Sequence, residues 1–200
     1  MIFYCVASGP SLTSHQVDII SNAKRLDSSI MVCCVNNTYE LFDEGIVDMI
    51  FAADRPWWRD HVDLVRKKHP KADRYTLENH NPYPMDINSV WWSDSIDLVR
   101  EDRVVYHGNN SGQMALNLIH VLYRCITIMV GFDFKHSDDG KKHYFGDHPP
   151  KYRANANTTG WIDGFTTMLE LYPEMKRYLY NATPNSAIPE ELVRRISLTD

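Results

Sequence analysis

The chain has no C-x-x-C pair, no G-x-G-x-x-G, no G-x-x-x-x-G-K-S/T and no H-E-x-x-H. These absences speak against a zinc ribbon or thiol redox pair, a standard dinucleotide dehydrogenase, a P-loop NTPase and a zincin-type metal site. Cysteine is sparse: Cys5, Cys33, Cys34 and Cys125, each inside an apolar run. Such thiols are expected to pack as small buried hydrophobes in a reducing compartment. No apolar run approaches the ~20 residues of a membrane span, and mean hydropathy is −0.40. Positive charge is short as well. With 21 Lys and Arg against 26 Asp and Glu, the net charge is −5, which disfavours binding to nucleic-acid phosphates. The basic face Arg59, Arg66, Lys67 and Lys68 is therefore read as solvated surface. No basic segment precedes the first apolar run, so no secretory signal is read and a cytoplasmic location is expected.

What remains is an ordinary globular composition, 44% hydrophobic and 24% charged over 200 residues, enough for one domain with a sizeable core. Short apolar runs alternate with amphipathic stretches. The runs are 2–7, 30–35, 49–53, 103–106 and 126–130, with weaker ones near Tyr75 and Val90 and another over 176–182. Helices are expected over 13–26, 39–44, 58–69, 111–124, 161–171 and 190–196, the first opened by the capping box Thr13-Ser14-His15-Gln16. Continuous apolar strands between helices mean a doubly wound, Rossmann-like α/β fold: a mostly parallel sheet with helices on both faces. The His-rich stretch at about 134–160 reads as a lid.

In such a sheet ligands bind beyond the carboxyl ends of the strands. Those ends carry Ser8, Gly9, Pro10, Ser11 and Leu12; Asn36 and Asn37; Asp54; Asn110, Ser111 and Gly112; and Gly131 to Phe134 with Asp133 among them. The opposite ends lack this density of small, amide and hydroxyl groups. Two of these loops open helices, and a helix start suits a phosphate. Each is also what any strand-to-helix turn with a good cap looks like. Asp54 and Asp133 are candidates to hold a ribose hydroxyl, to ligate Mg²⁺, or to cap a loop. His136, Asp138, Asp139, His143, Asp147 and His148 fit no standard metal spacing; a general base among the histidines and a lid without chemistry are the other readings. The pairs Trp57-Trp58 and Trp91-Trp92 are read as sheet cover, as an oligomer interface, or as stacking platforms.

Gly9-Pro10-Ser11-Leu12, Val35-Asn36-Asn37, Ala53-Asp54, Asn110-Ser111-Gly112 and Val130 to Phe134, in that order, resemble the bacterial sialyltransferases. They also resemble the related motility accessory factors and hydroxymethylpterin diphosphokinases. With Trp57-Trp58 and the 143–148 segment, the pattern is similar to short phage-encoded proteins of unknown function, which would act in the host cytoplasm. The resemblance implies a nucleotide-binding transferase of glycosyltransferase type, taking a nucleotide-sugar donor and an acceptor the sequence does not name. It implies Gly9 to Leu12 on the phosphate and ribose side, Asn36 on base or sugar, and Ser111 with Gly112 on the transferred group. It further implies His148 as general base and Tyr144 assisting the leaving phosphate. Sugar transfer of this kind needs no metal. Ser8 stands where the sialyltransferases have Asn. Two alternatives accompany this reading. One is a Mg²⁺-dependent diphosphotransferase using Asp54 and Asp133; the other is a non-catalytic accessory protein whose aromatic pairs anchor a partner.

Overall fold

A computed structural model describes residues 1–77, 84, 86–93, 104–108, 110–147 and 159–198. Its strands are β1 (Ile2–Val6), β2 (Ile30–Val35), β3 (Met49–Phe51), β4 (Asp73–Leu77), β5 (Asn88–Ser93), β6 (Val104–Tyr106), β7 (Ile126–Val130), β8 (Leu179–Asn181) and β9 (Arg194–Arg195). They form one sheet in the order β6-β5-β4-β3-β2-β1-β7-β8-β9, and every pairing is parallel. The helices are α1 (Ser14–Leu26), α2 (Arg55–Lys68), α3 (Ser111–Tyr123) and α4 (Thr159–Leu171). The doubly wound α/β reading holds.

Period-two alternation divides the core between the two faces. Phe3, Cys5, Cys33, Val35, Met49 and Phe51 pack with α3 and α4 residues such as Leu118, Phe165 and Met168. Val6, Val32, Cys34, Ile50 and Ala52 pack with Ile20, Trp57, Trp58 and Val65 of α1 and α2. The four thiols are buried and free. Helix α3 is buried from Gly112 to His120, as its nearly continuous apolar sequence requires. At α1 the capping box forms: Gln16 N–H donates to Thr13 Oγ1 at 3.3 Å and Thr13 N–H to Gln16 Oε1 at 3.0 Å.

Helix α2 begins at Arg55, three residues ahead of the expected start, and three other segments differ from expectation in kind or extent. The helix read over 39–44 is instead a 3₁₀ turn, Asn36–Leu41, starting directly off β2. The Thr38 hydroxyl accepts from Val35 N–H (3.0 Å) and donates to the Val6 carbonyl (2.9 Å), closing the turn early. Residues Pro173–Arg177 form another 3₁₀ turn, which shortens the 176–182 strand to β8. The helix expected over 190–196 is replaced by β9, which pairs with β8, and Ile196 N–H continues the ladder to the Asn181 carbonyl. There a free sheet edge overrides local helix propensity. Among the described residues no helix is long and apolar enough to cross a membrane.

Candidate functional site

Strand order reverses between β1 and β7. From β1 the chain builds outward through β2 to β6, and from β7 it builds the other way. The crevice beyond the carboxyl ends of β1 and β7 is therefore the topological switch point, where sheets of this kind bind ligands. Four of the five loops singled out in the sequence border it or its neighbour β2.

The turn after β1 is closed on itself. Gly9 N–H donates to the Gly131 carbonyl (2.9 Å) and Leu12 N–H to the Gly9 carbonyl (3.1 Å). Pro10 has no N–H, and Thr13 N–H is engaged in the capping box. Ser11 gives both its N–H (3.2 Å to Oδ1) and its hydroxyl (3.0 Å to Oδ2) to Asp133. A Cβ on Gly9 would stand 1.9 Å from Asp133 Oδ2 and 2.4 Å from the Gly131 carbonyl oxygen. The close approach that glycine permits is thus made by the chain's own carboxylate. Gly131 is equally constrained: its φ is +72°, and a Cβ there would meet the Ala7 carbonyl oxygen at 2.2 Å.

Asp133 is 5% exposed. Burial pushes its carboxyl above the ordinary value, and the two Ser11 hydrogen bonds oppose that rise. Its backbone is held from the far side by the segment after β8. Phe132 N–H donates to Thr183 Oγ1 (2.8 Å), Ser186 hydroxyl to the Phe132 carbonyl (2.6 Å), and Ala187 N–H to the Asp133 carbonyl (2.8 Å). Arg195 fastens that segment in turn, donating to the carbonyls of Ser186 (2.5 Å) and Ile188 (3.1 Å). Sequence reasoning missed Thr183, Ser186 and Arg195. Thr183-Pro184-Asn185-Ser186 has turn composition, but nothing local links it to Asp133.

Asn36, the first residue after β2, lies in the left-handed region, with φ +52°, a conformation Asn tolerates better than most residues. Its side-chain Oδ1 is buried and has no hydrogen-bond partner. Asn37 is anchored differently, taking a 2.7 Å hydrogen bond from Trp57 Nε1. Trp57 stacks on His61 with ring centroids 4.4 Å apart. Both Trp57 and Trp58 are buried, so this pair covers the sheet. Trp91 and Trp92 are 62% and 42% exposed. They lie on β5, four strand spacings from β1, or about 19 Å at ~4.8 Å per strand. The aromatic pairs therefore do not converge on the switch point.

At the start of α3, Asn110 caps the helix, its side chain accepting from Gln113 N–H at 3.1 Å. Gly112 lies against the Phe132 ring, within 2.9 Å of where its Cβ would be, so α3 opens beside the β7 loop. The Ser111 and Gly112 N–H groups belong to the first turn, which has no intrahelical acceptors.

The lid segment docks on the first two loops. Tyr144 N–H donates to the Ser8 carbonyl (3.1 Å) and its hydroxyl to the Asn37 carbonyl (3.3 Å). Burial pushes the Tyr144 phenol up to about 12, with the Glu40 charge adding to it, so it stays a hydrogen-bond donor at neutral pH. Ser8 Oγ sits 3.0 Å from His143 Nδ1. His143, not singled out as a base in the sequence, is thus a histidine that the described residues place beside Ser8. His148 lies outside the described residues.

The two carboxylates offered for Mg²⁺ follow strands that are not neighbours in the sheet. Asp54 is exposed at the N-cap position of α2 and makes no capping hydrogen bond. The strands β3 and β7 are three spacings apart, about 14 Å at ~4.8 Å each, and Asp133 is turned to Ser11. Among the described residues no group of three or more His, Cys, Asp or Glu is arranged to hold a metal. No family model, no curated protein and no solved structure matches the chain.

Proposed function

We propose that the protein is a nucleotide-binding transferase of glycosyltransferase type, taking a nucleotide-sugar donor across the β1/β7 switch point. The observation that carries the reading is the buried, unpartnered Oδ1 of Asn36, held by a left-handed backbone at the edge of that crevice. A buried amide oxygen without a donor costs about 1–3 kcal/mol, and an amino or hydroxyl group of a base or sugar would satisfy it. The opening of α3 supports the same reading: Ser111 and Gly112 offer N–H and hydroxyl donors to the phosphate that departs from the sugar. Tyr144, tied to the ends of both β1 and β2, would serve that group by turning its one O–H away from the Asn37 carbonyl it meets at 3.3 Å. The ordered sequence motifs add the resemblance to sialyltransferases, and with it His148 as the base on the acceptor hydroxyl. None of these roles calls for a metal ion.

Thermal denaturation with CMP, CDP, UDP, GDP and ATP, each with and without Mg²⁺, tests the proposal. A nucleotide at ~100 times its Kd stabilises by about 2.7 kcal/mol, a shift of several degrees. The expected result is stabilisation by one nucleoside mono- or diphosphate irrespective of Mg²⁺. A shift with triphosphate alone and only with Mg²⁺ assigns diphosphate transfer instead. No shift with any nucleotide removes both enzyme readings.

A further inference from the structure

We infer that the Gly9–Ser11 turn is an anion site filled by the chain's own Asp133, so that the ligand group lying against it is neutral and hydroxyl-rich, not a phosphate. The sequence of this turn has the look of a phosphate loop: a glycine that bares the backbone, a serine hydroxyl, and a strand-to-helix junction. In the folded chain that chemistry is complete without a ligand. Ser11 N–H and Oγ–H both point to the Asp133 carboxylate. The remaining backbone donors from Gly9 to Thr13 are held by Gly131, Gly9 and Gln16. The space a Cβ would take on Gly9 is occupied by Asp133 Oδ2.

A phosphate brought to this turn would find no vacant donor and would face a carboxylate that is 5% exposed and poorly screened by water. Like charges at such a distance repel strongly where solvent is excluded. The carboxylate cannot easily swing away, because Thr183, Ser186 and Ala187 fix the backbone of Phe132 and Asp133. A hydroxyl meets no such repulsion. It can donate to a carboxylate oxygen without displacing Ser11, because each carboxylate oxygen accepts more than one hydrogen bond. The identity of the neutral group as the ribose or sugar of a nucleotide donor rests on the proposed function. The occupancy of the turn by Asp133 does not.

The test is chemical rescue. Asp133→Ala empties the site while leaving its donors, so formate, the smallest carboxylate, should refill it. Formate is expected to raise the melting temperature of Asp133→Ala and to bind it about tenfold more tightly than wild type, the factor set by ~1.4 kcal/mol for a charge-assisted hydrogen bond. Chloride at equal ionic strength should do neither, and the double variant Ser11→Ala with Asp133→Ala should lose the rescue. If Asp133→Ala does not fold in chloride, refolding from urea in formate against chloride reads the same effect, recovery being expected in formate. Equal behaviour in formate and chloride, in either assay, overturns the inference. A rescued Asp133→Ala beside a wild type that binds no nucleotide would sink the proposed function and leave the self-occupied turn standing.

Discussion

Two loops in this molecule have nearly the same local grammar and opposite fates. Gly9 to Leu12 follows β1 and leads into α1; Asn110 to Gly112 follows β6 and opens α3. Each has a glycine, a serine and a polar helix cap, and each reads in sequence as a place for phosphate. The first is sealed: its donors run to Gly131, Gln16 and Asp133. The second is capped by Asn110 only at Gln113, which leaves the Ser111 and Gly112 amides without helical acceptors. A glycine at a strand end therefore does not by itself mark a ligand. What separates the two loops is a partner more than a hundred residues away, Asp133.

The comparison can be broken by mutation, starting where the effect is largest. Gly9→Ala places a methyl 1.9 Å from Asp133 Oδ2 and 2.4 Å from a backbone carbonyl. It is expected to lower the unfolding free energy by about 3 kcal/mol or to prevent folding, measured by urea denaturation. A loss under ~1 kcal/mol would mean that the β1 turn is not locked. Ser11→Ala removes one of the two bonds to a charged acceptor and should cost about 2 kcal/mol in the same assay.

The pH dependence sharpens the point. The folded state raises the Asp133 carboxyl above its ordinary 3.8, so the native protein binds the proton more tightly than the unfolded chain does. Its contribution to stability is full below pH 3.8 and is lost as pH rises through the folded value. Asp133→Asn should abolish that fall, so the wild-type minus Asn difference in unfolding free energy should decline from about pH 4 upward and then level off. A difference that grows with pH would reverse the assignment.

Smaller effects are expected on the open side. Asn36→Gly relieves a left-handed backbone and removes an unsatisfied amide, so stability should hold or rise by up to about 1 kcal/mol. Nucleotide affinity should fall about tenfold in isothermal titration, the loss of one buried hydrogen bond. Ser111→Ala should change stability by less than ~0.5 kcal/mol and weaken nucleotide binding by a similar factor. If Ser111→Ala destabilises as much as Ser11→Ala does, the two loops are equivalent and the contrast is false.

Much of the frame was legible in the sequence because it depends on local pattern. The runs at Ile2, Ile30, Met49 and Ile126 are continuous apolar strands, and Thr13 with Gln16 is a capping signal of three-residue range. The density of polar groups at one end of each strand marked the end of the sheet at which Ser11 and Asp133 meet. What could not be read depends on sequence-distant partners. Thr38 reaches Val6 and pulls the turn after β2 forward by three residues. β9 forms because β8 offers an edge, although Glu190 to Ile196 is locally helix-like. Asp133 was visible as a polar residue at a strand end, but its role depends on Ser11, 122 positions away. The Arg195 and Ser186 fastening had no sequence signal at all. The tryptophans show the same limit: two adjacent pairs of identical composition, one on the buried face of α2 and one exposed on β5.

The most direct test of the account is nucleotide titration of wild type, Ser111→Ala and Asn36→Gly without Mg²⁺, read by calorimetry. The account predicts one nucleoside mono- or diphosphate that binds wild type and loses about tenfold in each variant, while both variants keep near wild-type melting temperatures in its absence. Equal affinity in all three proteins, or no binding to wild type, would contradict it.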